Sequence, residues 1–139
     1  MLDPKDEAQT LIDEAMPFAV GLLEKYAEFF PFGIAMDVGG GILHHQGYPG
    51  GERPPSDEVM RVLRDAWKQM AVANEIRATA LVYDIRTIPP GKDSKQDAIC
   101  VDIDHKQNYS IRVIFPYSLL NQTVTIDPPF AMEGAYGIF

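Results

Sequence analysis

Residues 75–88, 97–105 and 109–117 are three consecutive segments of strand length, separated only by short polar breaks. Each is rich in β-branched and aromatic residues, so together they predict an antiparallel meander. On the second, Ile99, Val101 and Ile103 share one face, opposite Cys100, Asp102 and Asp104. On the third, Tyr109, Ile111, Val113, Phe115 and Tyr117 oppose Ser110, Arg112 and Ile114. Side chains alternate along a strand, so one sheet face should be core and the other at least partly wet. The first segment is apolar on both sides, with Ala78, Ala80 and Val82 on one and Leu81, Tyr83 and Ile85 on the other.

Upstream of the meander the pattern changes to helical spacing. Asp3 is a good N-cap, Pro4 suits the first helical position, and Asp6 and Glu7 lie in the positive first turn. Apolar residues then recur at Ala8, Leu11, Ile12, Ala15, Met16, Ala19, Leu22, Leu23, Tyr26, Ala27 and Phe30. The stripe keeps its phase across Pro17, which predicts one helix, kinked there and ended by Phe30-Pro31. Residues 33–37 and 42–45 flank Val38-Gly39-Gly40-Gly41, a turn suited to positive φ, and read as a hairpin. A Gly- and Pro-rich loop over 46–55 leads to Ser56, the expected cap of a second helix. Val59, Leu63, Ala66, Trp67 and Met70 face its core, and Asn74 is its expected stop. The tail, about 118–139, is apolar but broken by Pro and Gly, so it should cross the surface in extended form. Residues 1–139 read as a single domain of ordinary size.

The order α-β-β-α-β-β-β resembles the profilin-like group, including the roadblock and longin domains and, more loosely, PAS sensor domains. That resemblance implies an α+β fold with a five-stranded antiparallel sheet whose first hairpin lies beside the last strand. The two main helices are expected together on the apolar face of that sheet. The resemblance also puts the first meander strand at an edge, where a homodimer would cover its apolar faces. Residues 28–37 and 76–84 look like a group of small bacterial proteins of unassigned function, some of them from toxin-immunity contexts.

The net charge of −8 disfavours nucleic acid or an anionic membrane as partner, since both carry the wrong sign. The acid is concentrated early: through Phe30 there are Asp3, Asp6, Glu7, Asp13, Glu14, Glu24 and Glu28 against Lys5 and Lys25. The N-terminus is the reverse of a basic signal-peptide region, and no apolar run approaches a membrane span. Cys100 is the only cysteine, which excludes an intrachain disulfide and suggests a reducing, cytoplasmic setting.

Candidate chemistry is sparse. His44 and His45 are adjacent, so on a strand they point to opposite faces and do not readily chelate one ion; no metal site is expected. Asp102 and Asp104 share a strand face and could serve as paired carboxylates, but Arg112 on the neighbouring strand offers simple cross-strand pairing. The glycine clusters at 39–41 and 47–51 lack the spacing of phosphate loops, and Asp57 and Glu58 beside Arg53 repel an anion from the second helix. Cys100 lies in an apolar run, where a buried thiol is inert. No cofactor is expected. The preferred expectation is a non-catalytic protein-interaction module of immunity or adaptor type. Its acidic first-helix residues Asp13, Glu14, Glu24 and Glu28 would dock a basic protein partner. The alternative is a small-ligand sensor with a pocket between sheet and helices. An enzyme ranks third, for want of convergent acid, base and nucleophile.

Overall fold

A computed structural model describes residues 3–46 and 55–139. The elements run α1 (Pro4–Tyr26), β1 (Phe32–Asp37), β2 (Ile42–Gln46), α2 (Ser56–Val72), β3 (Ile76–Thr87), β4 (Gln96–His105), β5 (Tyr109–Leu120), β6 (Thr123–Ile126) and β7 (Phe130–Glu133). The fold is α+β, with two helices and an antiparallel sheet of seven strands rather than five. Strand order is β2-β1-β3-β4-β5-β6, with β7 also paired to β5.

Three expectations about this sheet are corrected. The first hairpin lies beside β3, the first meander strand, and not beside the last. The helices cover opposite faces: α1 packs with Ile34, Ala78, Val82 and Val101, while Val59, Leu63 and Trp67 of α2 pack with Ala35, Leu81 and Ile76. One cause explains both. β1 and the first half of β3 are apolar on both sides, and such strands need a neighbour on each edge and a cover on each face. Placing them together at the centre, between two helical layers, supplies both. The edge position that motivated a homodimer through β3 is thereby removed. Third, the tail does not simply cross the surface. Asn121 and Gln122 both adopt positive φ and turn the chain into β6, and β7 then pairs along the other half of the same β5 edge. Two consecutive positive-φ residues make the tight turn whose twist suits a hairpin.

Asp3 caps α1 as expected, its carboxylate accepting from the Asp6 amide at 2.9 Å. The helix runs unbroken through Pro17 but stops at Tyr26, where Ala27 turns left-handed and its N–H bonds the Leu23 carbonyl. Tyr26, Ala27 and Phe30 are therefore exposed instead of core. At α2 the cap position falls on Pro55, with Ser56 the first helical residue and no side-chain cap bond. Ala66 faces solvent, while Val59, Leu63 and Trp67 are buried. Asn74 takes positive φ just beyond the helix, as a stop residue should. The glycine-rich loop at 47–51, with Arg53, lies outside the described residues.

The hairpin turn is built on Asp37, whose carboxylate accepts from the amides of Gly39 and Gly41 at 2.9 and 2.8 Å. Gly33 lies under the indole of Trp67, and an added Cβ there would overlap the ring.

Candidate functional site

On the α1 face, the register sets Ile99 opposite Phe115, Val101 opposite Val113 and Ile103 opposite Ile111. The β4 member of each pair is fully buried. The β5 members are only half-buried, and so is Tyr109. The cause is geometric. Six strand positions about 4.8 Å apart span roughly 24 Å, whereas one helix is about 10 Å across. α1 begins over the ends of β3 and β4, where Glu7 meets His105 and Arg77, and reaches β6 only near its C-terminal end, where Glu24 accepts the Val124 amide at 2.8 Å. Between these points lies an open groove of about 670 Å3. Tyr109, Ile111, Val113 and Phe115 form its floor; Ala8, Ile12 and Met16 of α1 and Ile126 and Pro129 form its walls. Ala131 and Glu133 of β7 extend the floor outward, since they pair with Val113 and Ile111 on that face.

The rim of the groove is acidic. Asp13 lines it, Glu133 borders it, and Asp3 lies near enough to Tyr109 to help burial push that phenol's pKa upward. Lys5 is the only basic residue lining it among the described residues.

The four acids expected to form one docking face are dispersed. Asp13 borders the groove and accepts from Gln9 at 2.8 Å. Glu14 turns towards β2, where it meets His44 at 2.9 Å. Glu24 is committed to the β6 amide, and Glu28 lies beyond the end of α1 beside an aromatic pocket. The structure thus places Asp13 alone of the four at the groove. The groove's own residues were read from the sequence as ordinary core. The only signal for it was a shortage of helix: too little to cover both faces of a sheet this wide.

Two polar clusters flank the core. On the α1 face Glu7 is buried, accepting from His105 Nε2 at 2.8 Å and from Arg77 Nη2. The Gln107 amide donates to His105 Nδ1 at 3.1 Å, which holds the ring as the Nε2–H tautomer. Arg77 reaches this face because a register shift between Met36 and Asp37 leaves it as the extra residue of a bulge. On the α2 face, Arg112 forks onto Asp102, with Nε at 2.6 Å and Nη2 at 3.2 Å, and the Tyr83 hydroxyl donates to the same carboxylate at 2.8 Å. The expected Asp102–Arg112 pairing is therefore present, but half-sheltered and joined by a phenol. Burial pushes the Cys100 thiol up to about 12 and the Tyr83 phenol higher still, so neither is an ionised nucleophile near neutral pH. Burial, then repulsion from Asp102, also raises Asp104.

His44 and His45 diverge as their parity requires. His44 is exposed, while His45 Nδ1 accepts from Trp67 Nε1 at 2.9 Å, and burial followed by the neighbouring His44 lowers its pKa. A smaller cavity, about 340 Å3, lies between the end of α1, the start of β1 and α2, walled by Phe18, Leu22, Tyr26, Phe29 and Phe32. No helix among the described residues is long and apolar enough to cross a membrane. Comparison with protein-family models, with curated proteins and with solved structures found no significant match to this chain.

Proposed function

We propose that this chain is a non-catalytic protein-interaction module that binds a protein partner through the groove between α1 and β5. The observation that carries this reading is the unequal burial across one ladder: Ile99, Val101 and Ile103 are sealed, and their partners Phe115, Val113 and Ile111 are not. A continuous apolar strip beside a sealed core marks an interaction surface more often than a solvated one. An adaptor-type or immunity-type role suits a small acidic chain of this kind. Asp13 contributes its charge at the groove, whereas Glu14 and Glu24 are occupied within the fold.

The test is site-specific photo-crosslinking in the native host, with a benzoylphenylalanine at Val113 and, as control, at exposed Lys68 on α2. A discrete protein adduct from position 113 and not from 68 is the expected result. No adduct, or the same adducts from both positions, would overturn the reading.

A second reading, a small-ligand sensor, rests on the aromatic cavity at Phe18, Tyr26 and Phe32, whose volume lies in the range of ligand pockets. It predicts a small apolar or aromatic compound retained in native mass spectrometry and lost in Phe18→Asp.

A further inference from the structure

Resting on the reading of the groove as a protein-binding surface, we infer that the partner segment it takes is an amphipathic α-helix with a basic polar face. The floor is the face of a sheet, with backbone groups already paired on both sides of β5, so it offers side chains and no free strand edge. Sheet faces are covered by helices or by other sheets. The uncovered part comprises β5 and the β7 segment beside it, two strands or about 10 Å of width, which is the diameter of one helix. Its length from Tyr109 to Phe115 is six residue steps, about 20 Å, which a helix of about 13 residues spans. On the opposite side the wall is α1 itself, presenting Ala8, Ile12 and Met16 at i, i+4 and i+8, a ridge suited to helix–helix packing. The incoming helix occupies the place of a second helix on that face, with apolar residues at i, i+3, i+4 and i+7 turned to the sheet.

The sign of its other face follows from charge. Asp3, Asp13 and Glu133 surround the groove against Lys5, and the chain as a whole carries −8. Two copies would repel one another at that charge, which disfavours a second copy as occupant, whereas a basic helix is drawn in.

The probe is a synthetic peptide of about 13 residues made only of Leu and Lys, with Leu at helical spacing. One control has the same residues in strict alternation, which favours a strand; another replaces Lys by Glu. Binding is followed by calorimetry, and its place by methyl spectra of Ile12, Ile111 and Val113. The helical Leu/Lys peptide should bind one-to-one, perturb those methyls and weaken as salt rises. The Leu/Glu peptide should bind at least about tenfold more weakly, equivalent to about 1.4 kcal/mol. Val113→Arg should abolish binding. Ala131→Arg, at an exposed position outside the core, should weaken it by about tenfold or more without unfolding the protein. Equal binding of the alternating peptide, methyl shifts elsewhere, or indifference to both substitutions would overturn the inference. A protein crosslinked from Val113 while the helical probe fails would overturn the helix and leave the interaction module standing. Probe binding with no crosslinked protein would overturn the module and leave the helix-shaped groove.

Discussion

Removing the Glu7 carboxylate should cost far more than a helix-start acid is normally worth. The side chain is 4% exposed, and its two oxygens serve His105 Nε2 and Arg77 Nη2. In Glu7→Ala both donors lose their acceptor. The Arg77 Nε, already buried without a partner among the described residues, is joined by a second unsatisfied nitrogen. Breaking a buried ion pair from one side costs about 3–5 kcal/mol. The Arg77 side chain is 28% exposed and can draw on some water, so the lower end, about 3 kcal/mol, is the expected loss. For a domain of this size that corresponds to a melting temperature lower by about 10 °C. If Glu7 served only the helix dipole, the loss would be about 0.3–1 kcal/mol. Urea denaturation of Glu7→Ala, Arg77→Leu and the double variant closes a double-mutant cycle, and a coupling of about 2 kcal/mol or more is expected. Glu7→Gln should fall between wild type and Ala, because its amide oxygen can still accept from His105. A loss below about 0.5 kcal/mol in Glu7→Ala, the scale of a surface substitution, would refute the reasoning.

Asp84 makes stability depend on pH. Burial, then repulsion from Asp97, pushes it from 3.8 up to about 6 against the opposing bond from the Tyr117 hydroxyl. The folded state therefore holds its proton more tightly than the unfolded one. Stability from this group falls as pH rises from about 4 to about 6, and Asp84→Asn should flatten that slope in denaturant titrations. Gly33→Ala should lower stability by about 1–3 kcal/mol or more and shift Trp67 fluorescence, since the new methyl overlaps the indole; an unchanged spectrum and melt would contradict the packing. Cys100 should resist a thiol reagent in the native state and react promptly in denaturant, because burial holds its pKa near 12; fast native labelling would refute that.

Features governed by local spacing were legible in the sequence. The Asp3 cap, the β1–β2 hairpin, the Asn74 stop and the Asp102–Arg112 pairing all follow from neighbours a few residues away or from strand parity. What sequence periodicity does not encode is which layer lies above a face. Ile103 and Ile111 have the same alternation and the same side chain, yet one is sealed and the other lines a groove, because α1 passes over the first and not the second. The choice of opposite faces by α1 and α2 was equally hidden, although the apolar residues on both sides of β3 were visible and pointed to two covers. The β5–β6 hairpin was within reach: Thr123, Val124, Thr125 and Ile126 alternate after Asn121, but the prolines at 128 and 129 drew the whole tail into an extended reading. Glu7 was obscured by a competing rule, since an acid in a first turn already has an explanation.

The two ties that anchor α1, from Glu7 to His105 and from Glu24 to Val124, join residues 98 and 100 positions apart. Closure over such distances is slow and becomes favourable only after the intervening chain has taken shape. On a ribosome the first helix is the first element made, yet neither tie can form until the far ends of the meander have emerged. Through that interval its stripe of Leu11, Ala15, Ala19 and Leu23 has no sheet to rest on. The nascent chain is thus most vulnerable to aggregation late in synthesis, and a chaperone that shields this stripe would speed its maturation without touching the finished fold.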